Sequence, residues 1–182
     1  MHRSELEHLI RAAASIVNEY ELMIVGSQSI LGAVPDAPEI LLRSEEADIY
    51  PLNRPDLADV IEGAIGEESR FHETFGYYAQ AVGPETATLP AGWQQRLHKI
   101  QNQNTDLKIG YCLDPVDLAA SKAFANREKD WVFIGAMLQH GICTAEALLD
   151  RVGLLPIDAQ RIDAIKQRVS RTAAELKAAG GP

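Results

Sequence analysis

Leu22-Met23-Ile24-Val25 runs without a polar break and stops at Gly26. An apolar run this short, with no alternation, reads as a β-strand covered on both faces, because a half-exposed strand would alternate and a buried helix would need a longer stretch. Such a strand obliges its neighbours to supply apolar cover above and below a sheet. Just upstream, Leu6, Leu9, Ile10, Ala13, Ile16, Val17 and Tyr20 recur at helical spacing and predict a helix over 4–20, opened by a capping box of Ser4 and Glu7.

Beyond Gly26, Ser27 is placed to cap a short helix through Leu31, and 32–39, with Pro35 and Pro38, reads as loop. A second strand is expected over 47–51. Pro55 followed by Leu57, Val60, Ile61, Ala64 and Ile65 predicts a helix ending at Gly66. From Phe71 to Leu113 the aromatic and β-branched content predicts three short strands, near 77–82, 96–100 and 108–113. Asp114, Pro115 and Asp117 start a helix through Asn126, and Arg127-Glu128-Lys129-Asp130 opens the next, filled by Trp131, Phe133, Ile134, Met137 and Leu138. A short helix follows over 144–152. Asp158 then caps a last one with Ile162, Ile165, Val169, Ala173 and Leu176 on a single stripe. The fold class is therefore α/β (α+β): a small mixed sheet flanked by helices, then a C-terminal helical bundle. Residues 1–113 would form the α/β core and 114–182 a helical part packed on it as one compact unit.

Composition narrows the function classes. With 46% apolar and 24% charged residues the chain is an ordinary globular one. It contains neither a signal-peptide pattern nor 18 consecutive apolar residues, so a soluble cytoplasmic protein with no membrane association is expected. Cys112 and Cys143 stand apart from each other and from any His cluster, and read as buried free thiols. His2, His8, His72, His98 and His140 show no metal-ligand spacing. The net charge of −9 is uneven: residues 1–120 hold 8 Lys and Arg against 19 Asp and Glu, whereas 121–182 hold 9 against 7. A chain this acidic is a poor general nucleic-acid binder, because such binding rests on neutralising phosphates. Only the C-terminal third could face a polyanion, through Arg161, Lys166, Arg168 and Arg171 on the last helix.

Glu46 and Asp48 flank Ala47 on the second strand, where a period of two puts both carboxylates on one face. Mg²⁺ is usually held by one or two carboxylates together with substrate phosphates, so the pair suits phosphoryl or nucleotidyl transfer. Spacing alone does not single it out. Chance in so acidic a chain gives about four acidic-x-acidic triplets, and four occur: Glu5/Glu7, Glu19/Glu21, Glu46/Asp48 and Glu128/Asp130. Position separates them, because only Glu46/Asp48 follows a strand, a Gly-Ser turn and a helix start. Gly26 permits close backbone approach to a ligand, and Ser27 with the N–H groups at the following helix end makes an anion site. Phosphate at Ser27 and metal at Glu46/Asp48 are complementary.

In order and spacing, Gly26-Ser27 followed by Glu46-Ala47-Asp48-Ile49 resembles the Gly-Ser and acidic-hydrophobic-acidic-hydrophobic signature of the polymerase-beta-like nucleotidyltransferase superfamily. Leu118-Ala119-Ala120-Ser121-Lys122 with Arg127-Glu128-Lys129-Asp130 resembles the Lys and Arg-x-Lys-Asp helix segment of abortive-infection type bacterial nucleotidyltransferase toxins. Arg43-Ser44-Glu45-Glu46-Ala47-Asp48 is similar to their Arg-x-Ser/Thr-x-Asp-x-Asp. The likeness spans about residues 20–140 and is closest to short, functionally uncharacterised bacterial members. It implies a sheet of nucleotidyltransferase type and a nucleoside triphosphate bound with Mg²⁺ or Mn²⁺. The phosphates would lie against Gly26-Ser27 and the metal on Glu46 and Asp48. In-line attack on the α-phosphate would move a nucleoside monophosphate to an RNA (tRNA) or protein acceptor and release pyrophosphate. A cation beside the triphosphate is expected: Lys122 first, with Arg127 or Lys129 second, and Asp130 orienting the lysine or the nucleotide. A toxin-antitoxin or phage-defence role with a cognate partner is further implied.

Two departures from the pattern bear on activity. The first metal position is Glu46 in place of the commoner Asp, and a third carboxylate is not identifiable, since Asp106 precedes the last expected strand and Asp114 follows it. They support a second reading, a catalytically inactive nucleotidyltransferase-like binding or antitoxin-type module. Each feature also has a plainer structural counterpart. Gly26-Ser27 could be a simple capped turn, Glu46/Asp48 a solvated strand end, Lys122 a snorkelling surface residue, and Arg127, Lys129 and Asp130 junction salt bridges. Trp93 and Trp131 read as core anchors, with Tyr50 and Tyr111 as rival surfaces for base stacking.

Overall fold

The computed structural model describes residues 1–180 and divides the chain into two compact units. One comprises Met1–Ala87 and Arg96–Asp114; the other comprises Thr88–Gln95 and the chain from Pro115 onward. The change of unit at Asp114/Pro115 coincides with the Asp-Pro helix start. Thr88–Gln95 belongs with the helices, where the Ala91 N–H donates to the Leu154 carbonyl at 2.8 Å.

The first unit is built on a mixed sheet of β1 (Glu21–Val25), β2 (Glu46–Pro51), β3 (Tyr78–Ala81), β4 (His98–Ile100) and β5 (Ile109–Cys112), in the order β3-β2-β1-β5-β4. The apolar run forms the central strand, with Leu22, Met23 and Ile24 fully buried. β1 pairs antiparallel with β2 and parallel with β5, β2 pairs parallel with β3, and β4 pairs antiparallel with β5. Helix α1 (Arg3–Val17) buries Leu6, Leu9, Ile10, Ala13 and Ala14. A fully buried Leu or Ile is worth about 1.5–3 kcal/mol by area. The helix reaches β5 at Gly110, where a Cβ would meet Ile10 Cδ1 at 2.4 Å and Ile24 Cδ1 at 2.8 Å, so a larger residue would force those two side chains to repack. Helices α2 (Ala58–Ile65) and α3 (Arg70–Phe75) complete the unit.

Three local expectations are corrected. The first helix opens at His2, whose N–H donates to Glu5 Oε2 at 2.6 Å, and not through Ser4 and Glu7. Glu7 is buried instead and accepts from Arg3 Nε at 2.9 Å and from the Asn102 and Asn104 amides at 2.8 Å each. The helix stops at Val17, short of Tyr20, because Asn18 takes the left-handed conformation at φ 53°. The aromatic segment beginning at Phe71 is partly helical: Ser69 Oγ caps α3 by accepting the His72 N–H at 3.1 Å, and Gly76 ends it in the left-handed region. Phe71 and Phe75, four apart, pack with each other and with His8 and Tyr77, a helical pairing that strand propensity misreads.

The second unit contains α4 (Pro115–Ala125), α5 (Glu128–Gln139), α6 (Ala145–Val152) and α7 (Ala159–Ala178). Thr144 Oγ1 caps α6 and Asp158 Oδ1 caps α7, accepting the Ala147 and Arg161 N–H groups at 3.1 and 2.9 Å. Of the stripe on the last helix, Ile165 and Val169 are buried while Ile162, Ala173 and Leu176 are only half-buried. Cys112 and Cys143 are buried thiols outside any disulfide, in line with the reading of the sequence. Among the described residues, no helix is long and apolar enough to cross a membrane.

Candidate active site

Glu46 and Asp48 lie on one face of β2, since Ala47 and Ile49 between and beyond them are fully buried while both acids are partly exposed. Their Cα atoms are two residues apart, or about 7 Å along a strand. Asp48 stands opposite Val25, the last residue of β1, in the antiparallel register. The chain then turns at Gly26, whose φ of 63° and ψ of −164° favour glycine. A Cβ at Gly26 would sit 1.7 Å from Asp48 Oδ2, so the Asp48 carboxylate occupies the space a side chain there would need. Sheet register therefore brings the Gly-Ser turn and the second acid of the pair together.

Ser27 is the first residue of a 3₁₀ helix over Ser27–Gly32, not its cap; Gly26 holds the cap position. The turn is held by Ser29, whose hydroxyl and backbone N–H both donate to the Gly26 carbonyl, at 2.9 and 3.3 Å. Gln28 is buried, donates through Nε2 to the Ser44 carbonyl at 3.1 Å, and has no hydrogen-bond partner for Oε1 among the described residues.

Two side chains of β3 join the acids and were not singled out from the sequence. The parallel pairing sets Tyr78 beside Glu46 and Gln80 beside Asp48. The Tyr78 hydroxyl donates to Glu46 Oε2 at 3.2 Å. Burial, reinforced by the Glu46 charge and that hydrogen bond, pushes the Tyr78 phenol up to about 12. The His72 ring packs against Tyr78 at a tilt of 47°, with centroids 4.6 Å apart. Period-two alternation over 77–82 does put Tyr78 and Gln80 on one face, yet which strand they adjoin is decided by sheet pairing, which no local pattern carries.

The register position beside Asp48 thus carries an amide, Gln80, and not a carboxylate. Asp106 sits in a left-handed turn at φ 52°, and Asp114 lies 3.5 Å from His98 Nε2 just after β5. Neither is on β2 or β3. Among the described residues, no group of three or more His, Cys, Asp or Glu is arranged to hold a metal. What the first unit offers is two hard carboxylate oxygen donors beside a turn where only hydrogen fits, a set compatible with Mg²⁺ or Mn²⁺ completed by phosphate and water oxygens.

In the helical unit, Lys122 is buried and Asp130 fully so; their Nζ and Oδ1 atoms are 3.3 Å apart, and the ammonium lies 4.5 Å from the Phe133 ring centroid. The exposed Arg127 closes on the same carboxylate, Nε to Oδ2 at 2.7 Å. Burial by itself would raise the Asp130 carboxyl, but the Arg127 hydrogen bond and the Lys122 and Arg127 charges outweigh it and hold the group below its ordinary value. Lys129 is exposed and stands outside this knot. A second buried pair, Arg151 to Asp117 at 2.6 Å, ties α6 to α4. The base-stacking rivals are otherwise engaged: Tyr50 is buried, and the Tyr111 hydroxyl donates to Glu21 Oε1 at 3.0 Å.

No curated protein and no solved structure matches the chain. A family model does match, over residues 4–152, a span that takes in the Gly-Ser turn, the acidic pair and the Lys122–Asp130 knot. The chain therefore belongs to the family described as nucleotidyltransferase of unknown function (DUF6036).

Proposed function

We propose that the protein is a Mg²⁺- or Mn²⁺-dependent nucleotidyltransferase that moves a nucleoside monophosphate from a nucleoside triphosphate to an RNA or protein acceptor. The observation that carries this reading is the packing of the Asp48 carboxylate against Gly26, with Glu46 on the same strand face. That packing sets the carboxylate directly against the Gly-Ser turn, so a cation on the acids and phosphates on the turn would be neighbours.

Glu46 and Asp48 would hold the cation, which when bound supplies charge neutralisation on the transferring phosphoryl group. Ser27 and the turn it opens would contact the phosphates. Tyr78, donating to Glu46, fixes the orientation of the longer acid, the adjustment that a Glu in place of Asp requires. Attack by an acceptor oxygen on the α-phosphorus breaks the bridging bond to the β-phosphate and frees pyrophosphate. Any role of Lys122, Arg127 and Asp130 toward the nucleotide rests on the resemblance to the abortive-infection toxins alone, which also supports a cognate partner.

The test is incubation with each α-labelled triphosphate and candidate RNA and protein acceptors. Label transfer is expected with the wild type and should vanish in Glu46→Gln and Asp48→Asn; transfer that survives both substitutions removes this mechanism. Gln80 beside Asp48 favours a second reading, a nucleotide-binding module without turnover. Calorimetry with the four triphosphates and Mg²⁺ separates the two, since binding without pyrophosphate release supports the second.

A further inference from the structure

A 180 Å³ concavity in the helical unit is lined by Phe124, Asn126, Arg161, Ala164, Ile165 and Arg168. Its cations are arranged unlike an ordinary solvated helix face. Arg161 and Arg168 are seven apart on α7 and therefore on one side of it, about 10 Å apart along the axis. Each guanidinium is laid on an aromatic ring: Arg161 Cζ lies 4.4 Å from the Phe124 centroid, and Arg168 Cζ 4.4 Å from that of Trp131. Contact with a ring face restrains each guanidinium; Arg161 keeps its N–H groups available, while Arg168 also engages Asn126 and Glu128.

The polar partners divide unequally. Arg168 donates to Asn126 Oδ1 at 2.7 Å and lies 3.7 Å from Glu128. Trp131 Nε1 donates to the same Asn126 oxygen at 2.9 Å. Two donors meeting one atom assign it as the oxygen, so the Asn126 amide nitrogen keeps its two N–H groups for something else. Asn126 is held there by its left-handed backbone, φ 60°, at the turn between α4 and α5. The Arg161 guanidinium makes no hydrogen bond or ion pair among the described residues, its contact being the Phe124 ring. The Arg161 guanidinium, the remaining Arg168 N–H groups and an amide donor thus border a floor of Ile165 and Ala164, with the Glu128 carboxylate at the margin beside Arg168.

This set matches an acceptor-rich anion that also carries a flat apolar face. A guanidinium fork binds phosphate bidentately, and stacked Arg and aromatic planes are what unpaired bases pack on. A simple acidic peptide would use the charges and leave the planes idle. Charge segregation points the same way: α7 holds five basic residues against two acidic, in a chain whose net charge is −9. We propose that the Arg161–Asn126–Arg168 concavity binds a single-stranded polynucleotide, with phosphodiesters on the two guanidinium edges and a base against the stacked planes. This site stands on the helical unit alone and does not depend on transfer chemistry.

Anisotropy of labelled 12-nucleotide oligouridylate and oligothymidylate with the full chain, across a salt series, tests it. Arg161→Ala plus Arg168→Ala is expected to weaken binding at least tenfold and to flatten the slope of log affinity against log salt by about 1.4, two contacts at about 0.7 each for a single strand. Arg161→Ala alone removes no internal hydrogen bond, only the Phe124 contact, and should weaken binding several-fold while lowering the melting temperature by no more than a few degrees. Arg161→Lys, which keeps charge but not the fork, should also weaken it while preserving the salt slope. Affinity of the double variant within twofold of wild type overturns the proposal. Equal binding of a duplex or of oligoglutamate does so too, as does failure of both oligonucleotides to bind at low salt.

Discussion

The Asp48 carboxylate takes the place of a side chain at Gly26, so that the second acid of β2 and the turn after β1 exclude anything larger than hydrogen between them. Gly26→Ala must both strain a backbone at φ 63° and displace that carboxylate. The expected loss is about 1–3 kcal/mol of unfolding free energy from the backbone alone, together with loss of Mn²⁺ binding. A double-mutant cycle with Asp48→Ala, followed by urea unfolding, should show favourable coupling as the clash is relieved. Strict additivity would mean that the two residues do not contend for one space.

Tyr78 reports on Glu46. Burial, the Glu46 charge and the hydrogen bond favour the neutral phenol, which is why it is pushed up to about 12. In a spectrophotometric titration several tyrosines should ionise late, since burial also raises Tyr50, Tyr77 and Tyr111, and Tyr78→Phe should remove one late component. Glu46→Gln removes a negative charge that disfavours phenolate, so the Tyr78 component should move toward 10; if it stays in place, the contact is not the cause.

Gln80 is the amide at the register position beside Asp48, on the exposed face of the edge strand β3. Gln80→Asp places a third carboxylate beside the pair at little cost to stability, within about 0.5 kcal/mol for an exposed site. Mn²⁺ affinity by calorimetry is expected to rise at least tenfold. An unchanged affinity would show that position 80 does not face the cation.

Asp130 makes the helical unit acid-sensitive. Its carboxyl is held below the ordinary value, so its contribution is fully present above about pH 4, the unfolded value, and is lost as pH falls through the folded one. Asp130→Asn leaves Lys122 buried opposite a neutral group and should cost about 3–5 kcal/mol at pH 7. In urea midpoints the gap from wild type should shrink at pH 3. A deficit equal at both values would place the cost in packing and not in charge.

Legibility along the chain followed the range of the interaction involved. The central strand, the helix starts at Asp114-Pro115 and Asp158, the Gly-Ser turn and the shared face of Glu46 and Asp48 are set by neighbours within a few residues, and all could be read directly. The α3 helix was missed because Phe71 and Phe75 suit strands by propensity, whereas their four-residue spacing and the Ser69 cap favour a turn of helix. Tyr78 and Gln80 escaped notice because they matter only through the strand they adjoin.

By itself, then, the order of residues determined which segments are strand or helix and which side chains share a face, since period and capping are local properties of the backbone. Tertiary structure decided what each face meets: Asp48 over Gly26, Tyr78 on Glu46, Asp130 between Lys122 and Arg127, and two arginines over the rings of Phe124 and Trp131. Those contacts depend on strand register and helix docking, in which one residue of slip turns a side chain to the opposite face.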